Sequence, residues 1–116
     1  MVIIEPYDSI REMTEQFAKE AFPGTKVLSF ANAHDGFQIV QSRKPKLVTV
    51  CWEVHRDVNG AQLARRIRDI DPSYKPTIGL VTGTTDANGI GDLFDFTLLK
   101  PFTKQAYVDI LRKYLL

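Results

Sequence analysis

Short apolar runs alternate with amphipathic stretches along the whole chain. The runs at Val2 to Ile4, Val27 to Phe30, Leu47 to Trp52, Ile78 to Thr82 and Thr97 to Leu99 are rich in β-branched and large apolar residues. Most lack the alternating polar positions of a half-exposed strand. They therefore suit strands covered on both faces of a parallel sheet.

The intervening stretches carry helical spacing. Ser9-Ile10-Arg11-Glu12 has the form of a capping box, in which the serine hydroxyl and the glutamate each satisfy a free amide. Ile10, Met13, Phe17 and Ala21 then line one face until Pro23-Gly24 stops the helix. A second helix is expected over Ala33 to Ser42, with Phe37 and Val40 inward and Pro45 ending it. For the third, Asn59 is the cap, Leu63, Ala64, Ile67 and Ile70 form the apolar stripe, and Arg65, Arg66 and Arg68 turn to water. The last helix runs from a Thr103 cap to Leu116, with Tyr107, Ile110, Leu111 and Tyr114 inward. The stretch Thr84 to Phe94 differs, because it holds Gly89 and Gly91. Each mid-helix glycine costs about 1 kcal/mol relative to alanine, so this fourth helix is expected to be short or irregular.

Strand and helix alternating five times predict an α/β fold: a doubly wound, five-stranded parallel sheet flanked by helices, flavodoxin-like, with residues 1–116 as a single domain. In such a fold the binding site lies beyond the carboxyl ends of the strands, near the topological switch.

Composition narrows the function. Fifteen basic residues against fourteen acidic ones, a net charge of +1, give no general attraction for nucleic acid or an anionic membrane. No apolar run approaches the roughly 18 residues of a membrane span. Met-Val-Ile-Ile-Glu-Pro lacks the basic start and apolar stretch of a signal peptide, so a cytoplasmic protein is expected. The one cysteine excludes an internal disulfide and a Cys-rich metal framework.

The strand ends select Glu5-Pro6, Cys51-Trp52-Glu53, Thr82-Gly83 and Lys100-Pro101. With Lys100-Pro101-Phe102 after the last strand, Thr82-Gly83 ending the fourth, and Gly60-Ala61-Gln62-Leu63-Ala64-Arg65-Arg66-Ile67-Arg68 as third helix, the chain resembles a response-regulator receiver domain (CheY-like) of two-component signalling over its whole length. The resemblance implies a fold, a partner class and a chemistry. In the family an acidic pair after the first strand holds magnesium, and an aspartate ending the third strand accepts a phosphoryl group from a kinase histidine. A hydroxyl ending the fourth strand and a lysine after the fifth bind that group. Here the matching positions read Glu5 and Pro6, Cys51, Thr82 and Lys100. The aromatic switch residue three positions before the lysine is replaced by Thr97, with Phe96 beside it.

Magnesium wants hard oxygen ligands in octahedral geometry, and neither proline nor a soft thiol supplies one. Tight magnesium binding is therefore not expected, and without metal the charge on a transferring phosphoryl group is poorly neutralised. The expectation is a degenerate, or pseudo-, receiver that signals by protein contact without aspartyl phosphorylation and is not an enzyme. Its partner would be a histidine kinase or a downstream effector, with the last helix available for a homodimer. Spacing supports the departure. The loop from Cys51 to Gly60 is about one residue longer than the family's and lacks its Met-Pro pair, and Thr82 and Lys100 stand eighteen positions apart. That is about one helical turn, about four residues, short, so the output face near the fourth helix should be reshaped.

Other readings remain open. Glu5, Glu53 or Asp57 could act as a displaced phosphoacceptor. Cys51 could be a redox or small-ligand sensor, its thiol activated by Lys100, or simply a small buried residue at a strand end. A cysteine-phosphatase loop is excluded, since it needs arginine six positions after the cysteine and position 57 is aspartate. So are the phosphocysteine domains of sugar transport, which carry their cysteine after the first strand. Cys51 and His55 form only a weak metal pair without a third ligand. Glu5 and Lys100 are expected to pair. Trp52 is expected to pack, His34 to face solvent, and Arg43-Lys44-Pro45-Lys46 to form a solvated face.

Overall fold

In the computed structural model, which describes residues 1–53, 58–83 and 93–115, each apolar run becomes a strand of one sheet. The elements are β1 (Val2–Ile4), α1 (Asp8–Ala21), β2 (Leu28–Phe30), α2 (Ala33–Arg43), β3 (Leu47–Val50), α3 (Gly60–Arg68), β4 (Thr77–Thr82), β5 (Phe96–Leu99) and α4 (Lys104–Leu115). The strand order is β2-β1-β3-β4-β5 and every pairing is parallel. The expected doubly wound α/β architecture is therefore present. Of the short or irregular fourth helix expected over Thr84 to Phe94, 84–92 lie outside the described residues.

Side-chain parity divides the core in two, because successive strand residues point to opposite faces. Val2, Ile4, Val48, Val50, Ile78 and Leu80 pack with α2 and α3 on one face. On the other, Ile3, Leu47 and Phe96 pack with Ala18 of α1 and with Tyr107, Val108 and Leu111 of α4. The strands at the sheet centre are buried along their length, as their unbroken apolar runs require.

Local chemistry sets the helix ends, in one case differently from expectation. Asn59 caps α3 with a complete box: its side chain accepts from the Gln62 amide at 2.9 Å, and Gln62 accepts from the Asn59 amide at 2.9 Å. Thr103 Oγ1 accepts from the Ala106 amide at the start of α4. Asn32, which the sequence reading passed over, caps α2 by accepting from the Asp35 amide at 2.8 Å. The box expected at Ser9 does not form. The Arg11 amide already reaches the Tyr7 carbonyl at 2.9 Å, so Tyr7 is the cap and α1 starts at Asp8, two residues earlier than a Ser9 cap implies, and Ser9 lies inside its first turn. On the predicted inward face Thr14 and Ala18 are the fully buried residues, while Ile10, Met13, Phe17 and Ala21 are half-buried and Phe17 and Ala21 pack against the core.

Arg68 corrects a second expectation. Its guanidinium does not face water but donates to the Leu93 carbonyl at 2.7 and 3.1 Å and lies 3.3 Å from Asp95 Oδ2. A long side chain with five donors can satisfy a carbonyl in the approach to β5 from the end of α3.

Removing the α3 cap with Asn59→Ala is expected to lower the unfolding free energy by about 1 kcal/mol. Urea unfolding followed by circular dichroism checks this, and an unchanged midpoint would remove the box from the account.

Candidate functional site

Glu5 follows β1, Cys51 follows β3, Thr82 ends β4 and Lys100 follows β5, so a parallel sheet delivers all four to one edge. Backbone hydrogen bonds fix that edge. The Glu5 amide donates to Phe30 O at 3.0 Å and the Lys100 amide to Thr82 O at 2.8 Å. The β3 end is held by α3: the Gly60 amide donates to Trp52 O at 2.7 Å. Gly60 has to be glycine, since a Cβ there would stand 2.6 Å from the Cys51 carbonyl oxygen. The Lys100–Pro101 peptide is cis.

Parity turns three of these side chains the same way. Glu5, Cys51 and Lys100 each stand an even number of residues past a strand member of the α1–α4 face (Ile3, Leu47 and Phe96), so each points to that face. There Lys100 Nζ meets Glu5 Oε1 at 2.6 Å, with side-chain exposures of 15% and 4%. The ammonium also donates to Cys51 Sγ at 3.7 Å and stands 5.2 Å above the Tyr7 ring. Glu5 Oε2 accepts from the Tyr7 amide at 3.3 Å, and the Glu5 carbonyl accepts from Arg11 Nη1 at 3.0 Å. One carboxylate thus sits between the first turn of α1 and the end of β5.

These contacts frame a cavity of about 300 Å³ lined by Tyr7, Ile10, Cys51, Glu53, Thr82, Gly83 and Lys100. Thr82 is buried within its wall. Gly83 lines it as the Thr82-Gly83 strand end predicts, while Tyr7 and Ile10 are additions from the first loop and helix. Tyr7 had a usable signal: an aromatic two residues past Glu5, in the same strand-to-helix loop. Trp52 was rightly assigned to packing, for it rests against the α2–α3 core and not over the cavity. At the aromatic-switch position Thr97 is exposed, and its neighbour Phe96 turns inward to stack on Tyr114 with ring centroids 5.1 Å apart. His55 and Asp57, weighed as metal ligand and displaced acceptor, lie outside the described residues.

The electrostatics run against an activated thiol. Cys51 is buried, and that burial pushes its ionisation up; the Glu5 carboxylate adds to the rise, while Lys100 opposes it only in part. Lys100 is adjacent, as expected, yet its charge is already answered by Glu5. Activation of the thiol by Lys100 is therefore corrected.

The residues present do not fit the magnesium that the resemblance implies. Glu5 spends one oxygen on Lys100 and the other on the Tyr7 amide. Pro6 has no donor atom, and the Cys51 thiol is soft and held protonated.

No protein-family model matches the chain, and no curated protein matches it. Solved structures do. The response-regulator receiver domain (CheY-like) from Methylobacillus flagellatus superposes with a TM-score of 0.85 at 21% identity, covering 97% of this chain and 95% of that one. A chemotaxis response regulator of Vibrio cholerae gives 0.86 at 18%, covering 98% and 96%. The signal receiver domain of a DNA-binding response regulator from Colwellia psychrerythraea gives 0.84 at 22%, covering 97% and 94%. The fold is that of CheY-like receiver domains.

Two measurements test this geometry. Lys100→Met leaves Glu5 as a buried charge without its counterion and is expected to cost about 3 kcal/mol in denaturant unfolding; a loss of under about 1 kcal/mol, the level of an exposed pair, would contradict the burial. The raised Cys51 ionisation makes a pH prediction. As pH rises past the ordinary thiol value of 9.0, the unfolded chain loses its proton first. The stabilisation is whole below that value and is lost as pH climbs through the higher folded value. Stability of the natural chain relative to Cys51→Ala should therefore be constant below the ordinary thiol value of 9.0 and fall as pH rises above it, and its thiol should react with a disulfide reagent only after denaturation. A flat difference with a fast native reaction would refute it.

Proposed function

We propose that this chain is a receiver-type signal transduction module of a two-component or phosphorelay system that acts by protein–protein contact and not by aspartyl phosphorylation. The observation that carries this reading is the Glu5–Lys100 ion pair at 2.6 Å. The lysine that a receiver would turn toward a phosphoryl group is already neutralised, and Cys51 stands where the phosphoacceptor would be. With Pro6 beside Glu5, the donor set offers magnesium no suitable cradle, and the proposed module needs no cofactor and catalyses no reaction of its own.

The proposed partners are signalling proteins, a histidine kinase or a downstream effector, with α4 as a further surface for a homodimer. The near balance of basic and acidic residues gives no support for nucleic-acid binding by this domain. Among the described residues no helix is long and apolar enough to cross a membrane, and the proposed setting is the cytoplasm.

A second reading has one observation in its favour: Glu53 is exposed and lines the cavity, where it could serve as a displaced phosphoacceptor. One experiment separates the two. The protein is incubated with acetyl phosphate and magnesium, and its intact mass is recorded. The contact reading expects no change in mass. A gain of one phosphoryl group contradicts it, and peptide mapping of that group to Glu53 would establish the second reading.

A further inference from the structure

Behind the Glu5–Lys100 pair, toward the sheet interior, lies a second and much smaller space of about 10 Å³, walled by buried residues that include Glu5, Thr14, Thr49 and Tyr107. That volume is about one water-sized probe sphere. Tyr107 comes from α4 and is 1% exposed. Its hydroxyl is, among the described residues, the one buried side-chain polar atom without a hydrogen-bond partner. Thr14 lies beside that hydroxyl but gives its own proton to the Ile10 carbonyl at 2.8 Å. Its oxygen keeps acceptor capacity. The Glu5 carboxylate accepts from Lys100, the Tyr7 amide and the Cys51 thiol, and its two oxygens offer about four lone-pair sites, so acceptor capacity remains.

A buried hydroxyl in a dry apolar gap would be an uncompensated loss of hydration, and native proteins rarely leave one. A gap with polar walls on several sides is instead where a structural water resides, given two to four partners. We propose that one ordered water occupies this space, accepts the Tyr107 hydroxyl proton and donates to the Glu5 carboxylate, so that the Glu5–Lys100 pair is linked to α4. Tyr107 is then a positioning residue. It also stacks on Phe102 at 5.5 Å between centroids and tilts against Phe17 at 6.2 Å, so a change at its hydroxyl is felt by both neighbours of α4. Rearrangement of Lys100 in the open cavity would thereby reach the helix proposed above as a contact surface. That consequence rests on the receiver reading; the water itself does not.

The test uses the full chain. A high-resolution crystal structure should show one water within hydrogen-bond distance of Tyr107 Oη and a Glu5 oxygen. In solution, Tyr107→Phe should shift the carbon resonances of the Glu5 carboxyl and of Lys100 Cε. Tyr114→Phe removes another hydroxyl of the same helix, one that donates to the Asp95 carbonyl at 3.1 Å, and should leave them in place. A dry cavity overturns the proposal, whatever the variants do. So do Glu5 and Lys100 resonances unmoved in Tyr107→Phe, or moved equally in Tyr114→Phe. None of these readouts involves phosphorylation, so failure here is distinguishable from failure of the contact reading.

Discussion

Two opposite charges, Glu5 and Lys100, are buried together at the carboxyl edge of the sheet with 2.6 Å between them. Withdrawing either from water costs several kcal/mol, so each is tolerable only because the other is there. The surrounding features follow from that condition. Glu5 holds the Tyr7 amide and, through its carbonyl, Arg11, which fixes where α1 begins. Lys100 is drawn over the Tyr7 ring and toward the Cys51 sulfur. The thiol, enclosed beside a carboxylate, is disfavoured from ionising. The cavity beside the pair therefore faces a lysine whose charge is already matched by Glu5.

The sheet makes that pairing unavoidable. All pairings are parallel and β1 and β3 are neighbours at its centre, so the residues just past β1, β3 and β5 converge on one edge. Even spacing from Ile3, Leu47 and Phe96 then turns Glu5, Cys51 and Lys100 to the α1–α4 face. Moving any of the three strands by one residue would send its side chain to the opposite face. The same parity turns Thr49 of β3 to that face, where it lines one small cavity with Glu5 and with Tyr107 of α4.

Much of this was legible in the residues because it depends on periodicity and on backbone chemistry. The apolar runs marked the five strands, and the Asn59 and Thr103 caps were readable because asparagine and threonine before a helical stripe carry that chemistry. The identity of the four edge residues was also readable, since the strand ends are where such a fold places its site. What failed was whatever needed three dimensions. Ser9 looks like a cap, yet α1 starts earlier because Glu5 and Arg11 tie down the Tyr7 loop. Arg68 sits at a solvent-facing position on a helical wheel, but the Leu93 carbonyl, far along the chain, lies within its reach. The direction of the Cys51 shift could not be read from a neighbouring lysine alone, because the burial and the Glu5 charge that outweigh it are properties of the packed site. Nor does a sequence announce that Tyr107 ends in a cavity without a partner.

The central claim is that Lys100 is committed to Glu5 and stays so when a phosphoryl group is offered. The most direct measurement follows the Lys100 Cε and Glu5 carboxyl resonances as beryllofluoride and magnesium are added to the folded protein. The account predicts that both stay where they are through the titration. Movement of Lys100 Cε with a saturable dependence on beryllofluoride would contradict it, because the lysine would then have left Glu5 for the anion.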